Sequence, residues 1–172
     1  ILSDKILNIP ERNSILFAKA GFNIIATANT RDKGINEMSS ALKRRFNFET
    51  VEPIKNPQIE AEIIKNQCES LFELADIDIT VENDVVEVLA TTFNELRSGK
   101  SFENAKIQEL NSVISTAEAV SVYYQSALHS YYYGNKKIEM STLVSNLIGS
   151  VAKENKEDLP KLRNYFNNSI KL

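Results

Sequence analysis

The sequence of 172 residues predicts a mostly α-helical protein with a small α/β part at its beginning. Gly and Pro, which interrupt regular structure, are concentrated in the first third, where five of the nine occur by residue 57. Beyond that residue the apolar side chains recur at helical spacing, whereas before it short β-branched runs flank one helical pattern. The change near Pro53 predicts two domains, residues 1–52 and residues 53–172.

The first domain has the order strand, helix, strand. Residues 22–27 (FNIIAT) are apolar and β-branched, which is typical of a buried strand. Residues 36–46 (NEMSSALKRRF) predict a short helix, and residues 47–51 (NFETV) alternate like a second strand. This is too little material for a closed sheet.

The second domain begins with two predicted helices. The first carries one apolar stripe, and the second is capped by Asn83 and stops at Gly99. The stripe of the first helix consists of Ile59, Ile63, Ile64, Cys68, Leu71 and Phe72. The inward face of the second consists of Val85, Val86, Leu89, Phe93 and Leu96.

Three further helices are predicted. Ser115 and Glu118 form a capping box, in which each side chain satisfies a free backbone N–H of the other residue, and this helix runs to Gly134. The last two helices span roughly residues 141–153 and residues 158–170.

Composition excludes several classes of protein. With 20 basic and 23 acidic residues and no basic stripe, the chain is not expected to bind nucleic acid. No run of 18 apolar residues predicts a membrane span, so no membrane partner is expected. A single Cys cannot form an internal disulfide, which favours the reducing cytoplasm.

Asn29 is the first candidate for chemistry. It follows the predicted strand 22–27, and open α/β sheets bind ligands at the carboxyl ends of their strands. An amide there can orient a water molecule or hold a phosphate oxygen. The residues alone leave open that Asn29 only satisfies a turn.

Arg44 and Arg45 are the second candidate, because they close the predicted helix directly before Phe46. A guanidinium held at such a corner suits a phosphate across an interface. The alternative is that both charges only favour the C-terminal end of the helix, a contribution of about 0.3 to 1 kcal/mol.

Together these residues resemble the second half of an AAA+ ATPase module of the MoxR and dynein-related type. In that family a strand ending in A-T-x-N carries the sensor 1 Asn, and a later helix ends in an arginine finger before Phe. The matching segments are residues 26–29 (ATAN) and residues 41–46 (ALKRRF). The match covers about 30 residues in detail and the remainder in helical pattern only.

The resemblance implies a role for each residue and an activity for the complete protein. Asn29 would position the attacking water, and Arg45 would reach the nucleotide of a neighbouring subunit, with Arg44 as the second candidate. By this resemblance the complete protein would hydrolyse ATP with Mg²⁺ at the subunit interfaces of a ring, expected to be a hexamer, and would remodel an unknown partner protein. Residues 1–52 would be the end of the α/β core and residues 53–172 the helical lid.

The sequence lacks the two motifs with which a P-loop ATPase binds its nucleotide, the P-loop itself and Walker B. The only G-K-S, at Gly99, is preceded by a helical pattern and by Asn94 where the P-loop needs Gly, so a helix C-cap is predicted there. The acidic residues at 76 and 78 follow no buried strand, so they do not resemble Walker B. We therefore expect that the chain begins part-way through the module and is inactive alone, with residues 2–9 as the hairpin that precedes sensor 1.

The family places a sensor 2 Arg at the start of the third lid helix. The corresponding residues here are Ala117 and Glu118, so the resemblance makes them candidate cofactor-binding residues of the lid, although neither is an Arg. A Glu would repel phosphates, so the capping box is the favoured role of Glu118.

The remaining reactive residues predict no metal site and no nucleophile. His129 has no second His or Cys within helical reach, and Cys68 lies in an apolar stripe. The tyrosines at 123, 124, 131, 132 and 133 cover more than one helix face, which fits a partner surface or a crowded lid core equally. The competing hypothesis for the chain is a non-enzymatic helical protein-interaction module.

Overall fold

The computed structural model describes residues 5–27, 39–112, 114–152 and 155–169. By its internal contacts the chain divides into a first unit, Ile1–Val51, and a second unit, Glu52–Leu172. The mostly helical character predicted from the sequence is confirmed for these residues. Among them no helix is both long enough and apolar enough to cross a lipid bilayer.

The first unit contains an antiparallel hairpin of β1 (Ile6–Ile9) and β2 (Ser14–Phe17). A 3₁₀ turn, Pro10–Arg12, joins the strands, and Asn13 closes it in the left-handed conformation at φ 46°. The hairpin predicted within residues 2–9 therefore extends further along the chain than expected. Its second strand lies beyond the predicted segment, and residues 2–4 lie outside the described residues.

The two strands predicted at residues 22–27 and 47–51 are wrong, because the structure has no regular element at either place. Ile25 is 93% exposed and Val51 is 91% exposed. A buried strand needs hydrogen-bonded neighbours on a sheet, and the sheet in the described residues is the β1–β2 pair alone.

The helix predicted at residues 36–46 is much shorter where it is described. It is α1 (Ser40–Lys43), and residues 36–38 lie outside the described residues. The Ser39 hydroxyl accepts a hydrogen bond from the Leu42 N–H at 3.3 Å and so fixes where α1 begins. No residue of α1 is buried, so packing against other elements does not stabilise a longer helix here.

The second unit is a bundle of helices: the first contains the predicted apolar stripe, and the later ones begin and end within two residues of their predicted bounds. In chain order they are α2 (Pro57–Leu74), α3 (Asn83–Ser98), α4 (Thr116–Tyr133), α5 (Met140–Val151) and α6 (Asp158–Ser169).

Helices α2 and α4 run side by side in the same direction. Near their starts Glu60 meets Thr116, and further along Phe72 stacks on Tyr124 with ring centroids 5.4 Å apart. Helix α3 runs the opposite way, since its end lies at Glu60 and its beginning lies at Tyr123. The start of α2, the end of α3 and the start of α4 therefore meet at one end of the bundle.

Two details of the predicted helices need correction. Ile59 is 51% exposed, and the first turn of α2 buries Glu60 and Ala61 instead. Asn83 is the first helical residue of α3 rather than its cap, and Glu82 occupies the N-cap position. Glu82 is fixed by tertiary hydrogen bonds, donating its N–H to the Tyr123 hydroxyl and accepting from the Ile138 N–H.

The hydrophobic core lies in the second unit and draws on all five of its helices. Its largest fully buried side chains are Tyr123, Phe93, Ile64, Leu89, Leu96, Leu147 and Leu162. In contrast, no described residue of the first unit is buried. Among the described residues, apolar burial therefore stabilises the second unit far more than the first.

Candidate functional site

Asn29 and the residue before it lie outside the described residues. Thr27, the last described residue of this stretch, is exposed. The role predicted for Asn29 stays a prediction.

Arg44 and Arg45 lie at the end of α1, where both side chains are exposed. Arg44 is the C-cap residue, and its backbone N–H donates to the Ser40 carbonyl at 3.1 Å. The Arg45 guanidinium donates to the Ala41 carbonyl at 3.5 Å, a long and weak hydrogen bond. Two guanidinium groups at one exposed helix end can contact an anion outside the first unit.

Ala117 and Glu118 lie in the first turn of α4, where the predicted capping box is confirmed. The Ser115 hydroxyl accepts from the Glu118 N–H at 3.3 Å, and the Glu118 carboxylate accepts from the Ser115 N–H at 2.8 Å. A carboxylate thus occupies the positive end of this helix, where it is electrostatically favourable. The same charge repels a phosphate, and the methyl side chain of Ala117 cannot attract one.

Gly99 ends α3 as predicted from the G-K-S segment. It is the C-cap residue at φ 66°, and its N–H donates to the Glu95 carbonyl at 3.0 Å. A Cβ added at this position would lie 2.7 Å from Cγ of Glu109. The left-handed backbone favours glycine at this position, and a Cβ would force the exposed Glu109 side chain to shift, which explains Gly99 without any phosphate contact.

A buried ion pair that the sequence analysis missed joins α2 to α3. Glu60 is fully buried, and its Oε2 contacts a guanidinium nitrogen of Arg97, whose side chain is 12% exposed. The Thr116 hydroxyl donates to Oε1 of Glu60 at 2.9 Å, so both carboxylate oxygens have a partner. We call Glu60, Arg97 and Thr116 the buried triad.

The buried triad is connected to the segment that leads into α2. Arg97 also donates to the Ile54 carbonyl at 3.4 Å. One turn earlier on α3, the Asn94 amide donates to the carbonyls of Ile54 and Lys55 at 3.3 and 3.1 Å. These bonds fasten residues 54–55 to α3.

A second buried carboxylate, Asp158, holds the loop before α4 against α6. Its two oxygens accept from the N–H groups of Asn111 and Ser112, both at 2.8 Å, and Lys161 lies 3.1 Å away. Burial raises the pKa of Asp158, but the backbone hydrogen bonds and Lys161 outweigh it and keep the pKa below its ordinary value. Asp158 is therefore ionised and structural at neutral pH.

Cys68 and His129 show no sign of catalytic chemistry. Cys68 is fully buried, and burial raises the pKa of its thiol to about 12, which makes it a poor nucleophile. His129 is exposed and lies beside Tyr133 with ring centroids 5.5 Å apart. Within the described ranges no cluster of three His, Cys, Asp or Glu side chains is arranged to hold a metal ion.

The tyrosines of α4 divide between the core and the surface. Tyr123 is fully buried, whereas Tyr132 and Tyr133 are 65% and 83% exposed. Tyr131 lies beneath the ammonium group of Lys136, 5.2 Å from the ring centroid. Tyr123 is thus a core residue, whereas a partner surface at Tyr132 and Tyr133 stays a prediction.

Comparison with known proteins assigns both parts of the chain to one class, the AAA+ ATPases. Residues 1–46 match the AAA domain of the dynein-related subfamily, and residues 58–172 match the YehL-like AAA+ ATPase C-terminal domain. The chain belongs to the YehL-like AAA+ ATPase family.

The chain is similar to a curated protein, the uncharacterized protein YehL of Escherichia coli (strain K12). The two are 40% identical over 173 residues, which is 99% of this chain and 48% of that protein. The chain thus spans about half the length of the relative. No solved structure matches this chain.

Proposed function

We propose that the complete protein of which this chain is part is an ATP hydrolase of the MoxR-like type. It would assemble into a ring, bind ATP with Mg²⁺ between subunits and use hydrolysis to remodel a partner protein. Membership of an AAA+ family supports the nucleotide and the reaction class. The first unit would be the end of the α/β core and the second unit the helical lid.

The observation that carries the proposal is the exposed pair Arg44 and Arg45 at the end of α1, directly before Phe46. In our proposal Arg45 is the arginine finger and contacts the phosphates bound by a neighbouring subunit. A guanidinium stabilises the negative charge of the transferring phosphoryl group, and it must be exposed to act across an interface. Asn29 would position the attacking water.

The residues at the start of α4 do not fit a direct contact with ATP. Glu118 places a carboxylate there, and its capping box engages the backbone N–H groups of the first turn. We therefore assign no nucleotide contact to Ala117 or Glu118. The sequence also contains no glycine-rich phosphate loop, so the 172-residue chain alone is expected to be inactive.

The experiment that tests the proposal is the Arg45→Ala substitution in the complete protein. Arginine fingers contribute about 10³- to 10⁵-fold to kcat, so we expect ATP turnover to fall by at least 10³-fold while the Kd for ATP changes little. Steady-state hydrolysis and equilibrium titration with labelled ATP measure the two quantities.

Two further variants give the test its controls. Arg163→Ala removes an exposed arginine from α6 and should leave turnover unchanged. Arg44→Ala should have the smaller effect of the two neighbouring substitutions. If Arg45→Ala retains the wild-type turnover, Arg45 is not the finger, and a loss confined to Arg44→Ala would transfer the role to Arg44.

A further inference from the structure

The end of α4 exposes several aromatic rings to solvent. Tyr132 and Tyr133 are 65% and 83% exposed and follow one another in the last turn of the helix. The Tyr132 ring lies edge-on to the ring of Tyr131, with centroids 5.1 Å apart, and the Tyr133 ring lies beside His129. Such exposed rings contribute little to folding, whereas tyrosine is among the residues that carry most of the binding energy in protein interfaces.

A lysine of the same chain already occupies part of this surface. The Lys136 ammonium lies over the Tyr131 ring and is 3.4 Å from both a carboxylate oxygen and the carbonyl oxygen of Asp78. An aromatic face, a carboxylate and a carbonyl thus surround one cation, and these are the groups that bind a lysine or arginine side chain. We call Tyr131, Tyr132, Tyr133, Lys136 and Asp78 the tyrosine surface.

The ammonium group of Lys136 can leave the tyrosine surface without unfolding the turn that carries it. The Ser130 carbonyl accepts the N–H groups of Gly134 and Lys136 at 3.0 and 3.2 Å, and the Ser130 hydroxyl donates to the Lys137 carbonyl. These bonds fix the backbone of the turn without the Lys136 side chain. The ion pair with Asp78 is weak, because 54% of the Lys136 side chain and 97% of the Asp78 side chain are exposed.

The residues around the tyrosine surface are mostly acidic. The end of α2 and the start of α3 lie beside the end of α4, since Asp78 contacts Lys136 and Glu82 accepts the Ile138 N–H. Residues 73–84 contain five acidic side chains and no basic one, and residues 131–139 contain two lysines and one glutamate. This excess of negative charge favours a positively charged partner and repels nucleic acid and anionic lipid.

We propose that the tyrosine surface binds a basic segment of a partner protein, in which a lysine or arginine replaces Lys136 over the Tyr131 ring and beside Asp78. The exposed rings of Tyr132 and Tyr133 would pack on the apolar side chains of that segment and on the methylene groups of its basic side chains. Such binding requires neither nucleotide nor ATP hydrolysis, so it goes beyond the proposed function and stands apart from it.

The test uses the complete protein without nucleotide and two pools of fluorescein-labelled decapeptides. One pool is a random mixture of Arg, Leu, Ser and Gly, and the other contains Glu in place of Arg. Fluorescence anisotropy measures the apparent Kd of each pool at low and at high salt. We expect the basic pool to bind at least about 10-fold more tightly than the acidic pool, and the difference should shrink in high salt because exposed charges are screened.

A double substitution of Tyr132 and Tyr133 by Ser locates the binding on the protein. It should raise the apparent Kd of the basic pool about 10-fold, because truncating an interface tyrosine is among the most costly changes at such a surface. Phe102→Ser is the matched control, since Phe102 is 85% exposed and lies at the opposite end of the bundle, where its N–H bonds to Glu95. It should leave the Kd unchanged.

The substitution Lys136→Gln tests whether the partner's cation takes the place of this lysine. It should lower the apparent Kd of the basic pool about 2- to 5-fold, because no ammonium then competes for the Tyr131 ring and Asp78. Lys137→Gln removes the same charge from the next exposed residue and should have a smaller effect. Asp78→Asn should act in the opposite direction and weaken binding.

Several results would overturn the proposal. They are equal affinity for the two pools, no binding of the basic pool, equal effects of Lys136→Gln and Lys137→Gln, or a loss with Phe102→Ser as large as with the tyrosine variant. Sedimentation tests the other occupant, a second copy of the chain: self-association that the tyrosine substitutions abolish, without peptide binding, would also contradict a basic partner. Every substituted residue is exposed, so each variant should keep the melting temperature of the wild type.

Discussion

At the scale of single residues, Asp158 shows how one carboxylate can organise a loop. It is fully buried, yet each of its oxygens accepts a backbone N–H, and Lys161 supplies a nearby positive charge. Because these partners favour the ionised form, the pKa of Asp158 is lower in the folded protein than its ordinary value of 3.8. The folded state is therefore stabilised whenever Asp158 is ionised.

We predict that Asp158→Asn lowers the free energy of unfolding at pH 7 by about 1 to 3 kcal/mol, because the amide cannot replace both charge-assisted hydrogen bonds. The contribution of Asp158 is complete above its unfolded pKa and is lost as the pH falls through its lower folded pKa. Urea unfolding of wild type and variant at pH 7 and at pH 3 would measure this difference. It should be smaller at pH 3.

Asp84→Asn is the control for Asp158→Asn, since Asp84 is an exposed acid in the first turn of α3. It should cost no more than the 0.3 to 1 kcal/mol of a helix-end charge. Equal effects of the two substitutions would mean that the hydrogen bonds of Asp158 contribute nothing of their own.

The sequence contains a feature that could have indicated the burial of Glu60, but it contains none that indicates the pairing with Arg97. A glutamate in the first turn of a helix is ordinarily explained by the helix dipole, although Glu60 also lies in line with Ile64 and Cys68 on the apolar stripe. Arg97 follows it by 37 positions, and only the antiparallel packing of α3 on α2 brings the two together. Pairings of this kind depend on tertiary structure.

At the scale of elements, the start of α4 is fixed by local chemistry. Ser115 and Glu118 satisfy each other's backbone N–H groups, and α4 begins at the residue that follows Ser115. The capping box could be recognised from four consecutive residues because all of its bonds lie within them.

We predict that Ser115→Ala lowers the free energy of unfolding by about 0.5 to 2 kcal/mol, because the N–H of Glu118 loses its side-chain acceptor and keeps only the Ser115 carbonyl at 3.1 Å. Ser115 is exposed, so no cavity contributes to the loss. Chemical denaturation followed by circular dichroism measures it.

A second Ser→Ala substitution, inside α4, serves as the control for Ser115→Ala. Ser121 is exposed, and its hydroxyl bonds only to the Ala117 carbonyl one turn earlier. Since Ala is the better helix former, Ser121→Ala should be neutral or slightly stabilising. A loss as large as that of Ser115→Ala would show that the cap has no special effect.

Helices and strands differed in how far the sequence predicted them. Each helix of the second unit shows its own apolar periodicity and its own end signals, and those features are local. The runs at residues 22–27 and 47–51 have the composition of strands, but a strand exists only beside another strand. Composition cannot supply that neighbour, so both of these predictions failed.

At the scale of the whole molecule, the two units differ sharply in burial. Every residue of the hydrophobic core lies between Ala61 and Phe166, whereas the described residues of the first unit include Phe17 at 73% and Ile25 at 93% exposure. A unit with its own core can fold without the rest of the chain.

We predict that residues 52–172 alone fold cooperatively, with an unfolding free energy within about 1 kcal/mol of that of the 172-residue chain. Urea unfolding followed by far-ultraviolet circular dichroism compares the two. Residues 1–51 alone serve as the control and should show no cooperative transition. A large loss of stability in residues 52–172 would mean that the first unit contributes to their core.

The chain has one cysteine, and its position at the centre of the bundle makes it a built-in reporter. Cys68 packs between α2 and α4 with its thiol 3.8 Å from the Val120 carbonyl, and its pKa of about 12 leaves almost no thiolate at neutral pH. An alkylating reagent in solution can therefore modify it only in molecules whose helices have separated. The rate at which the Cys68 thiol is alkylated therefore measures how often these helices separate, and no engineered probe is needed.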